Sequence, residues 1–294
     1  MRAAWRLAPL ILAAAAPVAA QETPPAEPAP PPEGSIIINL PSADLPKLGT
    51  LTLLISHRFS QSVPDSDFHT LFSFDSAANI NIGLAYVPLQ NLEVSLQRAP
   101  ARCFCGLSGA TSAKSQRGLE IFEFAAKYRF LSSGPFRLSL RLGEDWRTAE
   151  GLEDRSGFFA QGVLGLSIGS RVRLTAVPTY VSRTSHSLLG EFPNPYTDVF
   201  NVPFAVSVGV TRTVNVHGEV VPRVGDAGAR GTGWIASLEK TVLRHRFAFT
   251  IGNLRATTVD QYIGSDFRAA AAIPAFRSQD YFLGFNITRL WNLK

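Results

Sequence analysis

The chain has 294 residues, of which 46% are hydrophobic and 17% charged, and its formal net charge is +5. The length allows one large domain, and a charge this small does not indicate a nucleic-acid-binding surface. No long apolar run follows residue 20, which excludes transmembrane helices in the rest of the chain.

The first twenty residues have the features of a secretory signal peptide. Two arginines precede a short apolar run that ends in the small residues Ala19 and Ala20. The run is too short to be a transmembrane helix, so we expect cleavage between Ala20 and Gln21. The next residues, 21–34, are Pro-rich and cannot form a core, which predicts a periplasmic linker that could also bind a periplasmic partner. The predicted organisation is therefore a signal peptide (1–20), a linker (21–44) and a β domain (45–294).

Twelve strands are predicted in the β domain because apolar and polar residues alternate along most of them. Each is about ten residues long, the length that a tilted strand needs to cross a bilayer. The predicted strands lie near 49–60, 78–87, 91–98, 119–131, 136–144, 157–168, 171–181, 201–210, 214–223, 232–240, 245–253 and 280–290.

The lengths of the connections also alternate. Those after the even-numbered strands are short, whereas those after the odd-numbered strands are mostly long, for example 61–77, 99–118, 182–200 and 254–279. Short turns at one end and long loops at the other are typical of outer-membrane proteins. The prediction is a single closed, antiparallel, up-and-down transmembrane β-barrel of about twelve strands, in the outer membrane, with short periplasmic turns and long outer loops.

This topology places aromatic residues of the lipid-facing register at the strand ends, where they would form two girdles at the bilayer interfaces. The predicted girdle residues are Tyr86, Tyr128 and Phe136 at the periplasmic rim, and Phe158, Tyr180 and Trp234 at the outer rim.

The opposite register carries nine basic residues against four glutamates, and it would face the lumen. Strands 4 to 7 are neighbours, so their basic residues would share one wall near the periplasmic end. This hypothetical basic ladder consists of Arg129, Arg137, Arg141, Arg171 and Arg173. Unpaired cations in a low-dielectric lumen would attract anions. Alternatively, Arg–Glu pairs fill the interior of a closed structural barrel.

Few residues indicate a catalytic, metal-binding or cofactor-binding site. His217 and Glu219 point into the lumen two residues apart, which fits a polar pair better than a general acid–base pair. Cys103 and Cys105, in the second outer loop, would form a strained disulfide, a redox-labile bridge, a soft metal site or an intermolecular link. No histidine has a serine two residues away, and no nucleotide-binding motif occurs. We therefore expect no enzyme, no cofactor and no metal centre.

Several segments resemble a bacterial beta-barrel family known as domain of unknown function 5777. The matching residues run in order along the chain: His57–Phe59, Phe72, Asp75, 78–86, 92–94, 127–131 and 284–289. The resemblance implies an outer-membrane barrel and adds no chemistry. One departure is the C-terminus, which ends on Lys294 rather than on the aromatic residue that usually ends such barrels.

These observations predict an outer-membrane barrel that acts as a narrow, anion-tolerant channel with an Arg-rich lumen. The first alternative is a non-conducting structural barrel, or one that binds a ligand or partner with its long outer loops. The second is an outer-membrane hydrolase. The expected partners are outer-membrane lipid, the barrel-insertion machinery, small anionic solutes and a periplasmic partner of residues 21–34, with no nucleic acid among them.

Overall fold

The computed structural model describes residues 34–59, 61–76, 78–100, 119–149, 155–184, 197–222, 232–255, 257–264 and 281–293. Within these ranges the chain forms a closed antiparallel β-barrel of twelve strands. They are β1 (Thr50–Phe59), β2 (Ala78–Leu89), β3 (Leu92–Pro100), β4 (Leu119–Ser133), β5 (Phe136–Ala149), β6 (Arg155–Ile168), β7 (Val172–Ala176 with Thr179–Thr184), β8 (Thr197–Asn201 with Phe204–Gly209), β9 (Val214–Val221), β10 (Gly233–Val242), β11 (His245–Gly252) and β12 (Phe282–Asn292).

Each strand pairs with its neighbours in sequence, and the first pairs with the last. The β1–β12 ladder runs from Thr50 opposite Asn292 to Arg58 opposite Gly284. The closed ladder leaves no open seam between the first and the last strand, which the hydrocarbon core of a bilayer requires. The predicted fold class and the predicted number of strands are confirmed.

Both β7 and β8 are interrupted at a proline. Pro178 and Pro203 have no N–H to donate to a ladder, so regular pairing pauses there. The ladder nevertheless continues through carbonyl groups: the Gly162 N–H donates to the Pro178 carbonyl at 2.9 Å, and the Val177 N–H donates to the Pro203 carbonyl at 2.8 Å. Strand β6 pairs with both halves of β7, so the two halves form one barrel strand.

The alternation along the strands separates an apolar outside from a polar inside. In β9, Val216 and Val220 are exposed on the outer surface, whereas Asn215, His217 and Glu219 are buried inside the barrel. This is the reverse of a soluble protein, and it is the arrangement that a lipid-facing barrel needs.

The two ends of the barrel differ. At the short-turn end, the connections are residues 90–91, 134–135, 169–171, 210–213 and 243–244. Gly134 and Gly169 have φ angles of +51° and +60°, which glycine adopts without strain. The other connections form the long-loop end, where residues 60–77 include two 3-10 helices, Val63–Asp65 and Leu71–Ser73.

Two segments fill the lumen, and neither was predicted to do so. Residues 35 and 37–45 are buried inside the barrel and Ile36 is half-buried, although 21–44 was predicted to be a periplasmic linker. Their apolar residues Ile37, Ile38 and Leu40 explain the difference, because these side chains gain from burial. The predicted linker residues 21–33 lie outside the described ranges. Residues 257–263, predicted within an outer loop, also lie inside and begin helix α1 (Val259–Gly264). None of the described helices is long and apolar enough to cross a membrane.

Candidate functional site

The N-terminal segment of residues 34–46, here called the plug, forms a small hairpin in the lumen. The Ile37 N–H donates to the Leu40 carbonyl at 2.9 Å, and the Ser42 N–H donates to the Ser35 carbonyl at 2.9 Å. Ile36 and Pro41 form an isolated β-bridge between the two arms. The tip of the hairpin therefore lies near Asn39, and both arms return toward the short-turn end.

The tip is bound by one carboxylate of the barrel wall. Glu219 on β9 accepts hydrogen bonds from the backbone N–H groups of Ile38, Asn39 and Leu40, at 2.8, 3.0 and 2.9 Å. All four residues are buried. Hydrogen bonds to a charged group in a buried setting are stronger than neutral ones, so Glu219 holds the tip firmly.

Strands on another part of the wall hold the same tip. The Arg58 guanidinium on β1 donates to the Asn39 side-chain carbonyl at 3.0 Å and to the Asn286 side-chain carbonyl at 2.8 Å. The Asn286 amide on β12 donates to the Ile38 carbonyl at 2.9 Å. The hairpin thus links β1, β9 and β12 across the lumen.

The base of the plug meets the basic residues of the lumen. Asp44 lies between Arg137 and Arg173, with N–O distances of 3.3 and 3.1 Å. The Lys127 ammonium donates to the carbonyl oxygens of Ser35, Ser42 and Asp44, each at 3.2 Å. One acid and three carbonyl groups of the plug therefore face three cations of the wall.

Two polar contacts complete the base. Lys127 lies 3.3 Å from the Glu93 carboxylate, and the Ser35 hydroxyl donates to the same carboxylate. The Ser139 hydroxyl donates to the Ala43 carbonyl at 2.7 Å. A cavity remains beside the plug, and its walls include Thr52, Gly83 and Gln97.

The second inner segment, residues 257–263, is called the α1 insert. The Glu123 carboxylate accepts the Val259 N–H at 2.8 Å, and the Asp145 carboxylate accepts the Asp260 N–H at 2.9 Å. The Asp260 carboxylate also lies 3.2 Å from the Arg147 guanidinium. Side chains of β4 and β5 thus bind the first turn of the insert.

Tyr262 anchors the other side of the α1 insert. Its hydroxyl accepts a hydrogen bond from the Gln161 amide of β6 at 2.9 Å. The side chain is buried, and this burial raises the pKa of Tyr262 above its ordinary value. Tyr262 therefore stays neutral at physiological pH.

The five residues of the predicted basic ladder have different surroundings. Arg141 is buried and pairs with Glu123, and it also donates to the Gln161 side-chain carbonyl at 2.8 Å. Arg137 and Arg173 share Asp44, as described above. Arg129 donates to the Asn91 side-chain carbonyl at 3.1 Å, and Arg171 is exposed at the short-turn end.

Asp44 was missed from sequence because it was assigned to the linker. From the sequence, Glu123 is the nearest acid on that wall, and it cannot neutralise all the arginines. The structure adds a second acid, which comes from the plug rather than from a strand, and it lies between two of the arginines. Asp44 and Glu123 therefore offset part of the charge that Arg137, Arg141 and Arg173 would present to a solute.

His217 and Glu219 both lie in the lumen but have different partners. Glu219 binds the plug tip. The His217 Nδ1 atom lies 2.8 Å from the Ser207 hydroxyl, and its Nε2 atom lies 3.7 Å from the Glu239 carboxylate. The Arg246 guanidinium is 2.9 Å from Glu239.

Ser207, His217 and Glu239 form an arrangement that sequence reasoning missed. Ser207 and His217 do not lie on one strand: Ser207 is the cross-strand partner of His217 in the β8–β9 ladder. Aligning the two predicted strands across their short turn would have shown the pair. All three side chains are buried within the barrel.

The predicted girdle residues lie on the outer surface. Tyr128, Phe136, Phe158, Tyr180 and Trp234 are exposed there, and Tyr86 is half-buried. Cys103 and Cys105 lie outside the described ranges. Within those ranges, no group of three or more His, Cys, Asp or Glu side chains is arranged to hold a metal ion.

The family DUF5777, described as a membrane bound beta barrel domain, matches residues 33–291. No curated protein matches the sequence. Among solved structures, outer membrane phospholipase A from Escherichia coli is similar, with a TM-score of 0.43, 11% identity and coverage of 81% of this chain and 92% of that one.

Two further solved structures have lower scores. LpxR from Salmonella typhimurium has a TM-score of 0.35 and 11% identity, covering 82% of this chain and 99% of that one. The toluene transporter TbuX from Ralstonia pickettii has a TM-score of 0.35 and 8% identity, covering 83% and 88%. At such scores these similarities say nothing about the activity of this chain.

Proposed function

This chain belongs to the DUF5777 family of membrane-bound beta barrels, and we propose that it is an outer-membrane barrel. We propose further that its own N-terminal plug holds the barrel closed. In this state it does not conduct. The charged lumen serves to bind the plug and the α1 insert, rather than to attract a solute.

The observation that carries this proposal is the binding of three consecutive backbone N–H groups by Glu219. A buried carboxylate is costly unless it is hydrogen-bonded, and the same holds for buried N–H groups. The plug tip and Glu219 satisfy each other, so removing either leaves the other uncompensated. This reciprocity makes the plug a built part of the barrel.

The charges near the base support the same conclusion. Arg137 and Arg173 meet Asp44, Lys127 meets Glu93, and Arg141 meets Glu123. With acids placed beside these cations, the closed lumen offers little unpaired positive charge to a passing anion.

Anion passage is the second candidate function, and it needs the plug to leave. Departure of residues 34–46 would remove Asp44 and would leave Arg137 and Arg173 facing the lumen without it. An open lumen with this excess of cations would favour anions. A periplasmic partner that binds residues 21–34 could pull the plug, since these residues continue directly into it.

Conductance in planar bilayers tests the proposal. The chain that begins at residue 21 should give no steady current, whereas a variant lacking residues 34–46 should conduct and prefer anions. A steady current of the same size from both chains would overturn the proposal.

A matched control uses Glu120→Gln. Glu120 pairs with Arg98 on the outer surface, so its loss removes one carboxylate without touching the plug. Heat-dependent migration in detergent gels, which distinguishes folded from unfolded barrels, should be the same for all variants. If the variant lacking residues 34–46 does not fold, Glu219→Gln tests the contact between Glu219 and the plug tip instead. Glu120→Gln is the matched control for this substitution.

A further inference from the structure

A ring of exposed basic side chains surrounds the short-turn end of the barrel. This ring, called the basic rim, consists of Lys47, Arg171, Arg212, Lys240, Arg244 and Arg289. Within the described part of the chain, no exposed Asp or Glu lies at this end. The acids nearest to it, such as Asp44, Glu93 and Glu239, are buried in the lumen.

The described long-loop end has the opposite balance. Its exposed or half-exposed acids are Asp65, Asp67, Asp75, Glu120, Glu144 and Asp198. Arg98 and Arg183 are the exposed arginines described there, and Arg98 pairs with Glu120. Among the described residues, exposed positive charge is therefore concentrated at the short-turn end.

Exposed apolar side chains accompany the basic rim around the barrel. Leu243 directly precedes Arg244 and is 93% exposed, and Leu48 directly follows Lys47 and is 43% exposed. The same pairing recurs within a few residues at two of the other turns and at the C-terminus, with Ile168, Val210 and Leu293 exposed by 53%, 50% and 60%.

We propose that the basic rim binds the phosphate groups of anionic glycerophospholipids in the leaflet that the short-turn end meets. Apolar side chains at this depth would enter the acyl boundary, while the neighbouring basic side chains would reach the headgroups. Arginine suits this role because its guanidinium donates two parallel hydrogen bonds to one phosphate.

The exposed apolar side chains beside the basic rim favour a lipid over an acidic protein as its ligand. An acidic soluble partner would match the charge of the rim, but it would leave Leu243, Val210 and Ile168 against water. A lipid headgroup with its acyl chains matches both the charge and the apolar side chains. This inference does not depend on whether the plug closes the lumen.

Trp291 is a built-in reporter for this end, since the Arg289 guanidinium lies 5.0 Å from its ring centroid. The chain from residue 21 with Trp146→Phe and Trp234→Phe keeps Trp291 alone. It is placed in phosphatidylcholine vesicles that contain brominated phosphatidylglycerol or brominated phosphatidylcholine, and the quenching of Trp291 is compared. We expect phosphatidylglycerol to bind beside Trp291 about fivefold more strongly, and this preference should weaken with salt.

Two comparisons make the test specific. Lys47→Gln with Arg244→Gln should abolish most of the preference, whereas Arg98→Gln with Arg183→Gln, which removes the same charge at the other end, should leave it unchanged. A second chain that keeps Trp146 and Trp234 but carries Trp291→Phe should show no preference. Equal quenching by both lipids at Trp291, or a preference that survives loss of the rim charges, would overturn the proposal. If the rim variant does not fold, the comparison between the two reporter chains decides the question.

Discussion

The backbone N–H of Asn39 lies 3.0 and 3.1 Å from the two carboxylate oxygens of Glu219, which is 180 residues later in the chain. This contact joins the tip of the plug to the middle of a barrel strand. Both groups are buried, so the contact matters more than an exposed hydrogen bond would.

Replacing Glu219 by glutamine should loosen the plug without unfolding the barrel. The substitution removes the negative charge and replaces one acceptor oxygen by a donor, which would face N–H groups. Amide hydrogen exchange at residues 38–40 should become about 10- to 100-fold faster, which corresponds to the loss of about one hydrogen bond to a charged group. Exchange in the strand amides of β9 should change little. Unchanged protection of residues 38–40 would show that Glu219 does not hold the tip.

Replacing Asp44 by asparagine should change both the closure and the charge of the lumen. Arg137 and Arg173 would lose their shared acid and repel each other. We expect brief openings in planar bilayers, with an anion preference that falls as salt concentration rises. Adding Arg173→Gln should reduce the openings, because the repulsion disappears. Cation-selective openings of the Asp44→Asn variant would contradict this explanation.

Much of the fold could be predicted because barrel strands repeat two simple rules. The alternation of residue types in β9 separates the outward Val216 and Val220 from the inward His217 and Glu219. The alternation of short and long connections shows at which end of the barrel each strand begins. Both rules act locally along the sequence. They need no knowledge of distant contacts, so a single sequence suffices to apply them.

The plug could not be predicted in the same way. Ile36, Ile37 and Ile38 are consecutive apolar residues, and they follow no strand or helix period. The contacts of this hairpin are with Arg58, Glu219 and Asn286, which are far apart in the chain. What the sequence does contain is a local clue: three isoleucines directly after a Pro-rich run are unusual for a solvated linker.

Ser207 should not react with a fluorophosphonate probe. The Ser207–His217 contact resembles part of a serine hydrolase site, but both side chains are buried and His217 contacts Glu239 at 3.7 Å rather than at hydrogen-bond distance. Mass spectrometry of the chain after incubation with the probe should find no adduct at Ser207. The variant lacking residues 34–46 provides the more demanding test, since it opens the lumen to the probe. An adduct at Ser207 that His217→Ala abolishes would favour the hydrolase alternative.

The α1 insert should detach at alkaline pH. Burial raises the pKa of Tyr262 above its ordinary value of 10.0, so the docked insert binds the phenolic proton more tightly than the detached insert does. Docking is therefore fully favourable below pH 10, and it weakens as the pH rises above that value and the detached tyrosine ionises. Hydrogen exchange of residues 257–263 between pH 8 and pH 11, corrected for the intrinsic rate, should show this loss. The Tyr262→Phe variant provides the matched control. It loses the contact with Gln161, so its insert should dock less strongly at pH 8, by about 1 kcal/mol. The loss of docking above pH 10 should be absent from this variant. An identical step in both chains would assign the loss to a group other than Tyr262.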